Sequence, residues 1–414
     1  MIKAWFKITL WKRILGALVL GLIAGLIWGE GANSIRWMGD IFVRSIRMLV
    51  VPLIFTTLVA GVVAMGDARR LGSIGLKAFA LYLGTTALAI TIGLIFGTIM
   101  QPGVGVDLSG AEAQTLSSAT TLSERLLNMI PVNPIEALAE GNILAVIVFA
   151  ILIGIGIIMV GEEAKVLKDL FNAGSEVMLK LTFIVMELAP FGVFALIAWV
   201  AGTQGATTLL KVVTLALAVY LACIAHIVFV QFGMVKLLAR MRVLPFARGA
   251  VDPQLLAYST SSSAATLPAT MAAAEENMGI GVPVRSSVLP LGATVNMDGT
   301  ALYVGIVALF SAQAFGVPLD LSDYLIIGLT TTLVSIGTAS VPSASLFLLA
   351  AVLTSIGISA EQTAIIVGFI LPFDRVLDMM RTVVNVTGDL AVATVVAKSE
   401  GELDEETYYA APDL

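Results

Sequence analysis

Apolar runs about as long as a bilayer is thick recur along this chain, at residues 12–29, 41–66, 78–100, 143–160, 177–203 and 209–239. A helix needs roughly 20 apolar residues to cross the hydrocarbon core. Runs of that length and number fit a polytopic membrane protein and little else. The composition agrees, with 58% hydrophobic and 13% charged residues, where soluble domains carry about 25% charged. Cys223 is the only cysteine and His226 the only histidine. An internal disulfide and a metal site of several Cys or His ligands are therefore excluded. Both residues read as packing residues in an apolar span, and with no nucleophile–base pair in view an enzyme is the least favoured class.

Basic residues sort the loops. Arg69, Arg70 and Lys77 follow the second run, Lys165, Lys168 and Lys180 the fourth, and Lys236, Arg240, Arg242 and Arg248 the sixth. The positive-inside rule places these loops and both termini in the cytoplasm of an inner (plasma) membrane, multi-pass. Residues 1–12, with Trp5, Phe6 and Trp11 among lysines, read as an interfacial segment, and 102–126 as an external loop. Glu400, Glu402, Asp404, Glu405 and Glu406 make a solvated acidic tail, not a nucleic-acid surface.

After residue 250 the pattern changes. Two apolar segments are interrupted by hydroxyl residues and proline, at Ser259–Pro268 and Ser335–Ser345, and each precedes a run that could span, about 286–315 and 360–396. Kinked helices or exposed loops would produce such interruptions. So would paired re-entrant hairpins, in which non-helical backbone is tolerated at membrane depth because protein or a watery cavity surrounds it.

The last run carries Asp374, Asp378, Arg381, Asn385 and Asp389 at spacings of 4, 3, 4 and 4. At about 100° per residue they share an arc of roughly 80°. A charge at mid-bilayer costs at least about 2.5–3.5 kcal/mol, so these groups must meet one another, ions, substrate or water. An internal ladder using the Asp378–Arg381 pair is one solution. Three carboxylates against one aligned guanidinium leave negative charge for bound cations to balance. In the preceding run, Gly292 and Gly299 weaken the helix around Asn296 and Asp298, and an unwound turn would offer carbonyl, amide and carboxylate oxygens to a hard cation. The Arg381 fork suits a carboxylate, Asp378 suits an ammonium, and half-helix N-termini suit a second carboxylate.

The Ser259–Pro268 stretch, Asn296-Met-Asp-Gly-Thr300, and Asp378-Met-Met-Arg-Thr-Val-Val-Asn-Val-Thr-Gly-Asp389 together resemble the dicarboxylate/amino acid:cation symporter family, that of glutamate transporters and archaeal sodium–aspartate transporters. The resemblance covers nearly the whole chain. It implies an all-α membrane protein with eight transmembrane helices and two re-entrant helical hairpins, inverted repeats, and scaffold and elevator transport domains, assembled as a homotrimer.

The division it implies begins with the interfacial 1–12, scaffold helices 1–2 at 13–77, transport-domain helix 3 with an external loop at 78–142, scaffold helices 4–5 at 143–208 and transport-domain helix 6 at 209–249. Hairpin 1 at 250–285, helix 7 with its unwound motif at 286–320, hairpin 2 at 321–358, helix 8 at 359–397 and the tail at 398–414 complete it.

By similarity, Arg381 would bind a substrate side-chain carboxylate and Asp378 the amino group, with Thr382, Asn385, Thr300, Ser263 and Val341 completing the pocket. One co-transported sodium ion would sit among Gly292, Asn296, Asn385 and Asp389, another at Thr294, Ser335, Ile336 and Thr338, and a third at Tyr82, Thr85, Thr86, Asn296 and Asp298. C4-dicarboxylate members tend to lack the acid at Asp378 and carry Asn at Asp389, and neutral amino acid members lose the arginine. Retaining all three points to aspartate or glutamate coupled to sodium, with a proton-coupled glutamate or C4-dicarboxylate symporter as the rival reading and an ion channel as the rival class. Archaeal members carry an arginine where Ser261 stands and eukaryotic members one at the position of Met379. Arg375, one turn before Met379, is placed to substitute.

Overall fold

The computed structural model describes residues 10–70, 72–106, 127, 130–204, 206–335 and 345–410. They are helical, and their only β-like feature is an isolated bridge between Ile280 and Leu403. Among the described residues, six helical stretches are long and apolar enough to cross a membrane.

One set of helices comprises α1 (Leu10–Trp28), α2 (Arg36–Arg70), a short α4 (Pro134–Glu140), α5 (Ile143–Val160), α6 (Lys165–Met186) and α7 (Ala189–Gln204). Within it α1 packs along α7, and α2 lies against α5, α6 and α7. The second set comprises α3 (Ser73–Met100), α8 (Ala206–Ala225), a π-helical turn at His226–Gln231, α9 (Phe232–Leu237), α10 (Val243–Gly249), α11 (Val251–Thr260), α12 (Ser263–Glu276), α13 (Val282–Val295), α14 (Asp298–Phe315), α15 (Leu321–Ser335), α16 (Ser345–Ser355), α17 (Ala360–Glu400) and α18 (Glu405–Tyr409). At its centre α17 packs against α11, α13 and α14, and α3 covers α14.

The two sets differ in burial. The most apolar windows of 282–315 and 373–400 are 94% and 89% buried, against 18% for 12–42. Polar groups on the central helices are thus shielded by protein, while outer helices leave leucine, isoleucine and valine uncovered for lipid.

Most apolar runs became helices near their expected bounds, but the run at 177–203 divides. Its helix begins earlier, at Lys165, stops at Met186, and a turn at Glu187–Leu188 leads into α7. Pro190 has no N–H to continue the ladder. The Glu187 carboxylate receives the Arg13 guanidinium from α1 at 2.7 Å, neutralising a cation that is otherwise sealed in this set.

In the first interrupted segment, α11 and α12 form a helical hairpin. Ser261 bends it with φ 53°, and the Ser262 side chain caps α12 by accepting from Ala265 N–H at 3.2 Å. In the second, α15 and α16 pack together while 336–344 lie outside the described residues, as do 1–9 of the interfacial segment and 107–126 of the external loop.

The acidic tail is not simply solvated. Its carboxylates largely face outward, but the chain reverses at Gly401 and docks on the base of the hairpin. Gly281 N–H donates to Glu402 O and Asp404 N–H to Gly279 O, both at 2.8 Å. Tyr408 is 1% exposed and donates to Arg242 O at 2.8 Å. The Asp404 carboxyl, which accepts from the Thr407 hydroxyl and Glu406 N–H, is held below the usual carboxylate range.

Candidate functional site

The site forms where the interruption of one helix meets the charged face of another. α13 ends at Val295, Asn296 and Met297 leave helical geometry, and α14 restarts at Asp298. The freed N–H of Gly299 donates to the Asn385 side-chain carbonyl at 2.8 Å. Glycine is required there by proximity, since a Cβ would overlap the main-chain oxygen of Arg381. The start of α14 therefore lies directly on the α17 backbone.

Arg381 has no exposed surface. Its Cζ lies 3.9 Å from the Tyr303 ring centroid, a cation–π stack from α14. Its Nη2 is 3.0 Å from Asp374 Oδ1 and 2.8 Å from Asp378 Oδ1. The Asp378–Arg381 ladder legible in the spacing is thus present and extends to Asp374. These are ion pairs by distance, but the N–H bonds do not point along them. Nε, Nη1 and Nη2 of Arg381, both Asp374 carboxylate oxygens and the Tyr303 hydroxyl all lack an aligned hydrogen bond. The carboxylates outnumber the guanidinium two to one, and its N–H groups still lack well-aligned acceptors, although an unmade hydrogen bond to a buried group costs about 1–3 kcal/mol.

The other expected pocket residues lie near by in the fold. Thr382 donates to Asp378 O at 2.9 Å, and Thr300, Asn385 and Ser263 are buried. Ser263 begins α12, which packs against α17. Val341, with Ile336 and Thr338 of the expected second cation position, lies outside the described residues. Of that position's remaining members, Ser335 is buried and Thr294 is exposed, with their hydroxyls on Thr332 O and Leu291 O, both at 2.9 Å.

Two buried carboxylates lie a layer away from the guanidinium. Asp389 Oδ1 accepts from Asn296 Nδ2 at 2.9 Å, and the same amide approaches Asn385 O at 3.4 Å. A Cβ on Gly292 would collide with Asp389 Oδ1 and the Tyr82 hydroxyl, so all members of the first expected cation position converge. Asp298 Oδ1 accepts from Thr86 at 2.8 Å, while Tyr82 donates to Val288 O at 3.0 Å and Thr85 to Tyr82 O at 3.1 Å. The Asn296 carbonyl oxygen is buried without a partner. Such oxygen donors suit a hard cation that comes and goes. Among the described residues, no three His, Cys, Asp or Glu side chains gather as for a resident metal.

A model of the sodium:dicarboxylate symporter family matches residues 10–399. The chain belongs to that family. Its members are transporters, not enzymes, and with the apolar helices this makes the chain a multi-pass membrane protein. It is 35% identical over 412 residues to the proton/sodium-glutamate symport protein of Geobacillus stearothermophilus, covering 97% of this chain and 96% of the relative. It is 36% identical over 420 residues to the proton/glutamate-aspartate symporter of Escherichia coli, covering 97% and 95%. A C4-dicarboxylate transport protein of Bacillus subtilis is 33% identical over 401 residues, covering 95% and 94%.

Within this family member the site has three further contributors: Arg375, which the resemblance offered as a substitute arginine, and Tyr303 and His226, whose roles were not legible in the sequence. Arg375 donates to the carbonyls of Ser259 and Thr260 at 3.4 and 3.1 Å, placing a guanidinium at the carbonyl end of α11 beside Ser261. Tyr303 carries no signal beyond being aromatic in an apolar helix. His226, read as a packing residue, instead places Nε2 3.1 Å from Asp298 Oδ2, with both side chains fully buried. Its one available signal was a lone polar ring in an apolar span.

Proposed function

We propose that this symporter carries an acidic amino acid, aspartate or glutamate, into the cell together with sodium. The observation that carries the reading is Arg381, sealed from solvent and ion-paired with Asp374 and Asp378, yet with no well-aligned hydrogen bond on its guanidinium N–H groups. An incoming carboxylate can take those donors bidentately, releasing Asp378 to accept from the substrate ammonium. A dicarboxylate without an amine would leave Asp378 facing another negative group, which disfavours C4-dicarboxylates. Thr382, Asn385 and Thr300, with Ser263 and Val341 from the two hairpins, complete the pocket in this reading.

Sodium ions would offset Asp389 and Asp298, which have no cationic arginine or lysine pairing with them among the described residues. One ion would use Gly292, Asn296, Asn385 and Asp389, one Thr294, Ser335, Ile336 and Thr338, and one the Asp298 layer. The set of helices around α17 would move as an elevator against the set of α1, α2 and α4 to α7 in each protomer of a trimer. The division into two packed groups supports this.

Uptake of labelled aspartate into proteoliposomes, with sodium replaced by choline at equal pH on both sides, tests the coupling ion. Uptake should vanish in choline. Full uptake there overturns sodium coupling, and if it then follows a pH gradient the coupling ion is the proton. Competition by glutamate but not by succinate or serine is expected at the same site.

A further inference from the structure

We infer that His226 is a positioning residue for the cation layer at Asp298, delivered there by the π-helical turn. The inference rests on the sodium-coupled reading above. In an α-helix His226 and Gln231, five residues apart, would point about 140° away from one another. The wider i→i+5 turn at His226–Gln231, packed on α3 and α17, lets His226 reach Asp298 and Gln231 reach Val384. Turns of this kind are rare and concentrate at functional sites.

A carboxylate can only accept, so His226 Nε2 carries the hydrogen and donates to Asp298 Oδ2 at 3.1 Å. Thr86 on α3 donates to Oδ1 of the same group at 2.8 Å. Two donors from two elements fix the carboxylate plane, leaving each oxygen a further lone pair for an ion. Gln231, one wide turn on, donates to Val384 O at 2.8 Å and ties the same turn to α17.

The surroundings point to a ligand. The oxygens of Gln231 and Asn296 are buried acceptors without partners, on side chains with no exposed surface. A Cβ at Gly388 would lie 2.8 Å from Asn296 Nδ2, 3.0 Å from Gln231 Nε2 and 3.6 Å from Asp298 Oδ2, so these groups crowd one spot on α17. Buried polar atoms are normally satisfied. Each amide turns its nitrogen to that spot and keeps an unpaired buried oxygen, an acceptor for an ion bound near the oriented carboxylate.

The test is calorimetric aspartate binding to purified protein across a sodium series, in wild type, His226→Gln, His226→Leu and His226→Met. Losing one hydrogen bond to a charged group should raise the sodium concentration for half-saturation by about tenfold or more in the Leu and Met variants. The aspartate Kd at saturating sodium should stay near wild type. Gln, which keeps a donor, should return the sodium dependence towards wild type. Unchanged sodium dependence in Leu and Met, an equal loss of sodium and aspartate affinity, or a Gln variant that behaves like Leu would each overturn the assignment. A wild type indifferent to sodium overturns the sodium reading as well. A sodium-dependent wild type with unmoved variants overturns this inference alone.

Discussion

Replacing Arg381 with cysteine removes the cation between Asp374 and Asp378 and the fork on which the substrate reading depends. Two consequences separate. In the empty protein, carboxylates 3.0 and 2.8 Å from Nη2 lose their counter-charge in a fully buried place. Breaking a buried pair by deleting one partner costs about 3–5 kcal/mol. In the complex, truncating a buried, hydrogen-bonded charge partner costs about 2–5 kcal/mol. At about 1.4 kcal/mol per decade that is roughly a 30- to 4,000-fold weaker aspartate Kd. A neutral amino acid loses nothing at the guanidinium and keeps Asp378 for its ammonium, so serine should bind as well as before or better. Calorimetry with aspartate and serine at saturating sodium, beside thermal unfolding, reads both effects. Adding Asp374→Asn removes one stranded charge and should recover stability without recovering aspartate binding. An aspartate Kd in folded Arg381→Cys that stays close to wild type would refute the reasoning.

Gly299→Ala places a methyl on the Arg381 main chain, where overpacking costs about 1–3 kcal/mol. Thermal unfolding should fall and aspartate binding weaken, whereas Gly305→Ala, whose Cβ would find its nearest neighbour at 3.7 Å, should be close to neutral. Tyr408→Ala empties a buried aromatic site and deletes the bond to Arg242 O, a loss of about 3–5 kcal/mol by analogy with other buried aromatics. Hydrogen exchange should speed up at 402–409 and at Gly281, whose N–H is held by Glu402 O, and stay slow in the core of α17.

The amino-acid sequence by itself determined the solvent, the helices and the charged face. Apolar run length is a local quantity, and so is the spacing that aligned Asp374, Asp378, Arg381, Asn385 and Asp389. The break at Asn296–Met297 was legible because flanking glycines weaken a helix wherever it sits. The divided run at 177–203 was not, because the turn at Glu187 is stabilised by an arginine 174 residues away. The tail's docking through Tyr408 likewise depends on a carbonyl at Arg242. Only the tertiary structure decided that His226 faces Asp298 and that Tyr303 stacks on Arg381. A π turn shifts the side-chain phase of a helix by an amount that 3.6-residue periodicity does not encode, and a side chain's partner across helices is set by packing, not by its neighbours in the chain.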